Sequence, residues 1–347
     1  MRTADAVVVG AGVMGSATAR SLARSGVDVV LLERFALGNA RGSSHGRSRI
    51  FRFSYPDRRY VRMAMEALPL WREVEEDASE ELLRTTGGLD FGPTVKDHAE
   101  ALGAEGARFE LLDEADVAAR FPFLRPPTGP ALFQPDAGFV RADRAVAAFV
   151  RTAASAGAEV VPERPAVSLR AEGRHAVVET EEETYRAPAA VVTAGGWARA
   201  LLGPAGIDLP VRPTRETVGY FVLDESLPVP ALVEWNEPAG YALRSPGQGI
   251  KAGEHGTGPQ TDPNDEGTPD LATLERLGRW VRSRFPDTDP EPHLAETCIY
   301  TNTDDESFVL ERYGPIVVGS ACSGHGFKFA PWIGRRLAGL ATGEPAA

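Results

Sequence analysis

The chain has 347 residues, of which 43% are hydrophobic and 25% charged, a composition typical of a soluble globular protein with one or two domains. A formal net charge of −12 argues against nucleic-acid and anionic-membrane partners. The N-terminus runs straight into an apolar strand, so we expect no secretory signal, and no apolar run is long enough to predict a membrane span. Two distant cysteines do not make a disulfide framework, and we therefore expect a cytoplasmic protein.

Residues 1–33 predict a βαβ unit. Ala6–Val9 has the apolar character of a buried strand, residues 16–25 are expected to form a helix ending at Gly26, and residues 27–32 a second strand. Such a unit is the usual start of a Rossmann-like dinucleotide domain.

A glycine fingerprint lies within this unit. Gly10, Gly12 and Gly15 supply G-x-G-x-x-G directly after the strand, where glycine permits a tight turn and close approach to a pyrophosphate. Glu33 ends the second strand, where an acid accepts hydrogen bonds from a ribose diol and disfavours a 2′-phosphate. FAD and NAD remain open. The small-residue stretch 38–49 and the recurrence of glycine-rich strand–helix turns favour FAD.

The rest of the chain alternates helical and strand-rich segments. In order, the predicted elements are a helix over 60–76, strands with two short helices over 82–133, a helix over 143–156, a hairpin over 167–187, a strand–turn–helix over 187–202, a strand-rich region over 211–295 with a helix at 271–285, and a final strand, glycine loop and helix.

This interleaving predicts an α/β fold with a discontinuous Rossmann-like FAD-binding domain and an α+β second domain. We assign 1–81, 139–205 and 296–347 to the FAD-binding domain. Residues 82–138 and 206–295 would form a strand-rich substrate domain of mixed sheet plus helices.

Lysine is rare, with three lysines against thirty-four arginines. Lys251 and Lys328 lie in glycine-rich, mostly apolar segments, whereas Lys96 lies in a polar one. A compact ammonium whose pKa can be tuned performs tasks that a guanidinium performs badly, so a role is expected for the first two. Chance survival in an arginine-rich chain is the alternative.

Several motifs together carry a family resemblance. They are GAGVMGS with the later LLER, SSHGRSRIFR, TAGGWA, IKAGEH, CIYTNTDDESFVLE and SGHGFKF. In this order they resemble monomeric sarcosine oxidase and N-methyltryptophan oxidase, FAD-dependent amine oxidases of the glycine-oxidase/D-amino-acid-oxidase class. The resemblance runs from residue 7 to about residue 330. GAGVMG is generic, whereas CIYTNTDDESF and SGHGFKF are specific to the subfamily.

The resemblance implies a flavin site. Its cofactor-binding residues would be Gly10, Gly12, Met14, Gly15, Glu33, Arg34, Ser43, Ser44, His45, Arg49, Cys298, Gly324, Gly326, Phe327 and Lys328. Cys298 matches the cysteine that is bonded through sulfur to the flavin 8α-methyl carbon. The alternative for Cys298 is a buried structural thiol.

The resemblance also implies a substrate site. The substrate-binding residues would be Arg52, Lys328, Tyr241 and Tyr300, and the catalytic residues Lys251, His255, Arg49 and Tyr241. Arg52 and Lys328 match the cations that hold a substrate carboxylate, Lys251 the lysine that activates O2, and His255 a histidine near the substrate nitrogen. A charge between Phe327 and Phe329 also requires an anionic partner.

The implied activity is oxidation of a secondary or N-methylated amino acid by a monomeric enzyme without a metal. Hydride would pass from the amine carbon to flavin N5, water would hydrolyse the imine, and O2 would become H2O2. Alternatives are a flavin-dependent dehydrogenase with another acceptor, a natural-product tailoring oxidase of a cyclic imino acid, and a non-catalytic or NAD-binding Rossmann protein. Phe53, the segment 54–61 and Cys322 depart from the family pattern and leave the substrate open.

Overall fold

A computed structural model describes residues 1–343, and within them no helix is both long and apolar enough to cross a membrane. The last four residues of the predicted 296–347 segment lie outside the described residues. The helices are α1 (Val13–Arg24), α2 (Arg58–Ala78), α3 (Val95–Ala104), α4 (Glu114–Arg120), α5 (Ala142–Ser155), α6 (Ala198–Leu202), α7 (Leu271–Arg284) and α8 (Ala330–Thr342). Short 3-10 turns occur at Gly195–Trp197, Gly203–Ala205 and Phe327–Phe329.

The strands of the described residues form four sheets. They are β1 (Arg2–Thr3), β2 (Ala6–Val9), β3 (Val29–Leu32), β4 (Arg49–Phe51), β5 (Leu83–Thr85), β6 (Gly88–Phe91), β7 (Glu110–Leu112), β8 (Ala131–Gln134), β9 (Gly138–Val140), β10 (Glu159–Val161), β11 (Ser168–Glu172), β12 (His175–Glu179), β13 (Thr184–Ala187), β14 (Ala189–Val192), β15 (Arg212–Phe221), β16 (Ala231–Glu234), β17 (Gly240–Arg244), β18 (Ile250–Glu254), β19 (Leu294–Asn302), β20 (Val309–Tyr313) and β21 (Ile316–Ser320).

A six-stranded sheet has the order β10-β3-β2-β14-β21-β20, parallel except for β20. Its central strands are continuous apolar runs because both faces are covered. Helices α1, α5 and α8 pack on one face, and the four-stranded sheet β1-β13-β12-β11 covers the other. The carboxyl ends of β2 and β21 therefore open on the same edge, where such folds bind dinucleotides.

An eight-stranded mixed sheet has the order β19-β15-β18-β17-β16-β6-β8-β7. One face packs against α7 and α4 through an apolar cluster that includes Leu277, Val281 and Val117. Its other face borders the cavity described below. A three-stranded sheet, β4-β9-β5, adjoins it.

The predicted α/β class with a strand-rich second part is confirmed. Helix α1 begins at Val13, three residues before the predicted start, and the Val13 N–H, which has no partner within the helix, donates to Ser44 Oγ at 3.0 Å. The division into two domains stays a prediction. Strand β19 runs across its proposed boundary at residue 296.

Candidate functional site

One cavity of about 1260 Å³ runs between the six-stranded and eight-stranded sheets. Nearly all the predicted site residues line it, namely Gly10, Gly12, Met14, Glu33, Arg34, Ser43, Ser44, His45, Arg49, Arg52, Tyr241, Lys251, His255, Cys298, Tyr300, Gly324, Gly326, Phe327 and Lys328. Of the predicted site residues, only Gly15 does not line the cavity. Residues separated by more than 300 positions in the chain thus meet in one chamber.

The glycine turn forms one end of the cavity by close backbone packing. Gly10 has a φ of 99°, and a Cβ there would come within 2.7 Å of the Thr193 carbonyl oxygen. A Cβ at Gly15 would overlap the carbonyl oxygen of Gly10. The fingerprint glycines therefore bring α1 against β2, the packing that lets a pyrophosphate approach the backbone.

Glu33 lies beside this turn at the end of β3. Its Oε2 accepts a hydrogen bond of 2.7 Å from the Ala11 N–H, and its Oε1 accepts one of 3.0 Å from the Phe35 N–H. The carboxylate is thus fixed next to the glycines on the cavity wall, as an acid that binds a ribose diol requires.

The cavity fits FAD by size and lining. Its volume exceeds the range of about 300–1,000 Å³ typical of small-molecule pockets, which leaves room for a dinucleotide and a substrate together. The glycine cradle and Glu33 stand at one end, and a free buried thiol, Cys298, lines the middle.

The floor of the cavity is one face of the eight-stranded sheet. Lys251 on β18 lies opposite Tyr220 on β15, and Cys298 on β19 lies opposite Glu216 on β15. Opposite residues share a face, and so do residues an even number of positions apart. Lys251 and Cys298 therefore project to the same side, from the two strands that flank β15 and at positions four residues apart along it.

Cys298 sits in a cationic environment. Its Sγ lies 3.7 Å from the Arg49 guanidinium and 3.7 Å from the Ser43 carbonyl oxygen. Burial raises the pKa of the thiol, but His45, Arg49 and Lys251 outweigh it and bring the pKa down to about 7. These cationic surroundings favour the thiolate form of Cys298. Arg49 itself is held by the carbonyl oxygens of Ser43 and His45, at 2.9 and 2.7 Å.

Cys322 lies on the other side of Ser43, with its Sγ 3.9 Å from the Ser43 hydroxyl. Burial raises the pKa of this thiol, in contrast to that of Cys298. Both cysteines are free.

Lys251 is buried, with 4% of its surface exposed, and lines the cavity. Burial and the neighbouring Arg49 lower its pKa to about 7, although Cys298 and Glu296 act in the opposite direction. Within residues 1–343 no hydrogen bond or ion pair holds its ammonium. The Lys251 ammonium therefore borders the cavity without a protein partner among the described residues.

Lys328 is also buried, in the 3-10 turn that precedes α8. Its Nζ donates to the Tyr55 hydroxyl at 2.7 Å and to the His325 carbonyl oxygen at 2.6 Å. Burial, and secondarily Arg52, hold its pKa well below the usual range. Both partners are neutral oxygens, so no carboxylate of residues 1–343 takes the place of the anion expected for Lys328.

Arg52 is buried beside Lys328, not exposed on a strand surface. Its guanidinium lies 4.2 Å from the ring centre of Tyr55 and 4.8 Å from that of Trp235, within the range of cation–π attraction. It also donates to the Ser54 carbonyl oxygen.

His255 closes the cavity at the side of Tyr300, with ring centres 5.7 Å apart. Its Nε2 lies 3.2 Å from Glu306 Oε1, and this hydrogen bond lowers the pKa of Glu306. Burial raises the pKa of Tyr241 to about 12 and that of Tyr300 well above its usual value, so both phenols remain protonated.

Sequence reasoning missed five polar or aromatic residues of this region, namely Tyr55, Asp90, Trp235, Glu306 and His325. Tyr55 and His325 lie three positions from the predicted cations Arg52 and Lys328, so proximity in the chain was an available signal. Asp90 and Trp235 carry no sequence signal, because only strand pairing brings them near Arg52.

Comparison with known proteins places these observations in a family. Residues 5–340 match the family described as FAD dependent oxidoreductase. Peroxisomal sarcosine oxidase of Mus musculus is 35% identical over 96% of this chain and 90% of its own length. Monomeric sarcosine oxidase of Bacillus sp. (strain NS-129) is 32% identical over 97% of this chain and 92% of its own.

Among solved structures, NikD is 28% identical with a TM-score of 0.89. The alignment covers 100% of this chain and 96% of that one. NikD is described as an unusual amino acid oxidase essential for nikkomycin biosynthesis.

Proposed function

Because this chain belongs to the FAD dependent oxidoreductase family, we propose that it is an FAD-dependent oxidase of secondary or N-methylated amino acids. The observation that carries the proposal is the burial of two cations, Arg52 and Lys328, in the cavity that also holds Lys251 and Cys298. We further propose a monomer, as the name of the Bacillus relative implies, in a reducing cytoplasm that suits two free thiols.

The cations define the substrate class. Neither Arg52 nor Lys328 has a carboxylate within ion-pairing distance in residues 1–343, and burying unpaired charge is costly. A substrate carboxylate would supply the missing anion and raise the pKa of Lys328 toward its ordinary value. The two cations then orient the carbon next to the carboxylate in the cavity.

Bound FAD supplies the acceptor that takes a hydride from the amine carbon and passes both electrons to O2. The chain contributes the surroundings of this chemistry. The phenols of Tyr241 and Tyr300 border the substrate and, being protonated, add no charge to its surroundings. His255, held by Glu306, borders the same space and is assigned to the substrate nitrogen.

We assign Lys251 to the reaction of the reduced flavin with O2. Its ammonium is buried, uncommitted and fixed on the central strand β18. A fixed cation in a water-poor site stabilises negative charge that develops on O2, and it needs no reorganisation to do so. The dissociated product is H2O2.

Cys298 is assigned to a thioether with the flavin 8α carbon. Forming this S–C bond would remove the thiol proton and one methyl proton, and the bound flavin would supply the two-electron acceptor, with O2 as the final oxidant. A thiol pKa near 7 supports the assignment, because the thiolate is the nucleophile.

A peroxide assay tests the activity. Purified holoenzyme in air should release one H2O2 per substrate consumed from a panel of sarcosine, bulkier N-methyl amino acids and cyclic imino acids, the last included because of the likeness to NikD. Substrate consumption without peroxide would contradict the oxidase and favour a dehydrogenase. No consumption of any carboxylate-bearing amine would contradict the substrate class.

Acid precipitation tests the linkage. The yellow flavin should remain in the pellet of the native protein and of Cys322→Ala, and should wash out of Cys298→Ala. A colourless native pellet from a holoenzyme that was yellow before precipitation would refute covalent attachment while leaving FAD binding intact.

A further inference from the structure

Asp90 is a buried acid that the proposed chemistry does not use. It lies on β6 with 2% of its surface exposed, and burial raises its pKa. Its register partner on β16 is Val233, which lines the cavity, so Asp90 projects to the same face of the sheet. The carboxylate itself stays behind the wall, because other side chains stand between it and the cavity.

Two of those side chains are hydrogen-bonded to it. Ser54 Oγ donates to Asp90 Oδ2 at 2.7 Å, and Trp235 Nε1 donates to Asp90 Oδ1 at 2.9 Å. Each oxygen of the carboxylate therefore fixes a different neighbour. One neighbour lies 36 positions away and the other 145.

Both neighbours touch Arg52. The Ser54 carbonyl oxygen accepts from the Arg52 guanidinium, and the Ser54 hydroxyl lies 3.4 Å from it. The guanidinium carbon lies 4.8 Å from the centre of the Trp235 ring, within cation–π range. The cation is thus contacted by both residues that are hydrogen-bonded to Asp90.

We propose that Asp90 is a positioning residue, which acts through Ser54 and Trp235 to hold Arg52 in the orientation that meets the substrate carboxylate. This inference rests on the proposed function of Arg52. A guanidinium binds a carboxylate well only when its planar fork is correctly directed, so fixing the plane raises affinity without any new contact to substrate.

The chain offers a matched control in Glu234, one residue before Trp235. Glu234 is equally buried, accepts from the Trp280 indole at 2.7 Å and pairs with Arg284, but it projects to the opposite face and does not line the cavity. Asp90→Ala and Glu234→Ala therefore both remove a buried acid and an indole hydrogen bond. Only the first acid is hydrogen-bonded to residues that contact Arg52.

The experiment titrates FAD holoenzyme with 2-furoate, a small carboxylate without an oxidisable amine, and with its uncharged amide 2-furamide, following the flavin absorbance. Asp90→Ala should weaken 2-furoate binding about tenfold, at the low end of what hydrogen bonding to charged groups contributes, and leave 2-furamide unchanged. Asp90→Asn should restore binding to within about threefold, because the amide oxygen can accept from the Trp235 indole while the NH2 group donates to the Ser54 hydroxyl. Glu234→Ala should lower the free energy of unfolding but leave the ratio of the 2-furoate and 2-furamide affinities unchanged.

Unchanged 2-furoate affinity in Asp90→Ala, or an equal loss in Glu234→Ala, would overturn the inference and leave the proposed function standing. A native holoenzyme that binds both ligands equally would instead overturn the carboxylate clamp, and the inference with it. Should Asp90→Ala fail to fold, Ser54→Ala and Trp235→Phe each cut one link without exposing a buried charge. Each should show a smaller loss of the same sign, and unchanged 2-furoate binding in both would refute the role.

Discussion

The two ends of the cavity are built by different physical means. The dinucleotide end relies on backbone shape, since Gly10 and Gly15 bring a helix and a strand together with no space for a side chain. The other end, which we propose binds the substrate, relies on buried charge, since Arg52, Lys328 and Lys251 lie in the interior without acidic partners within ion-pairing distance in residues 1–343. The first end is therefore sensitive to added volume, and the second to altered charge or shape of a cation.

The largest effect is expected from volume at the dinucleotide end. Gly15→Ala places a methyl group on the Gly10 carbonyl oxygen, so the backbone must shift, and FAD affinity should fall by a factor on the order of 10³. Flavin absorbance per protein after purification measures the loss. Gly339→Ala, in α8 with open space around it, is the helical control and should bind FAD normally. Full flavin content in Gly15→Ala would show that close packing is not what this end requires.

The next largest effect is expected from removing the charge of Lys251, which we propose faces O2. Lys251→Met should slow reoxidation of the flavin by O2 about 10²–10³-fold in stopped-flow experiments, while reduction by substrate changes little. The exposed Lys96 on α3 provides the control, and Lys96→Met should be silent. An unchanged reoxidation rate would remove Lys251 from the chemistry.

A substitution that keeps the positive charge at Lys328 but changes the shape of the cation distinguishes the two requirements. In Lys328→Arg a planar guanidinium must occupy a buried space fitted to an ammonium between Tyr55 and His325, so we expect KM to rise about 10- to 100-fold. Lys96→Arg should leave steady-state kinetics unchanged. Equal KM values for the two variants would mean that only the charge at this position matters.

The smallest effect is a pH dependence. A lowered Lys251 pKa of about 7 means that the ammonium is present below pH 7 and lost above it. The rate of reoxidation should therefore fall about tenfold from pH 6 to pH 8, following the protonated fraction, and Lys251→Met should show no such decline. A reoxidation rate of the native enzyme that rises with pH would mean that the neutral amine of Lys251, not the ammonium, favours the reaction with O2.

The same pKa has a consequence for stability. The unfolded chain binds the Lys251 proton up to pH values near 10.5, whereas the folded chain releases it near 7, so this group opposes folding more as pH falls from 10.5 to 7. Lys251→Met should therefore unfold at higher denaturant concentration than the native protein at pH 7. Equal midpoints would indicate that the buried lysine costs nothing.

The contrast between the two ends also explains what could be predicted from the sequence. The dinucleotide end is formed within one βαβ unit, so the spacing of Gly10, Gly15 and Glu33 predicts it directly. Lys251 and Lys328 were predicted because matching motifs surround them, and the cavity unites them.

The supporting contacts at the substrate end could not be predicted in this way. Asp90 meets Ser54 and Trp235 only because β6 pairs with β16 and faces the segment after β4. Pairing between strands more than 140 residues apart leaves no local periodicity in the chain. The contacts of Lys328 with Tyr55 and with the His325 carbonyl oxygen were likewise not predicted, because the motif indicated only a role toward a substrate carboxylate.

Strand β15 pairs with both β18 and β19, so the carriers of Lys251 and Cys298 belong to a single hydrogen-bonded body. Lys328 and Arg52 follow strands of two other sheets. If one sheet slides over another, Arg52 and Lys328, the proposed substrate-binding cations, move relative to the eight-stranded sheet. Lys251 and Cys298 keep a constant separation, because both lie on that sheet. Mutations that alter such sliding should therefore change which amines are oxidised long before they change how oxygen is used.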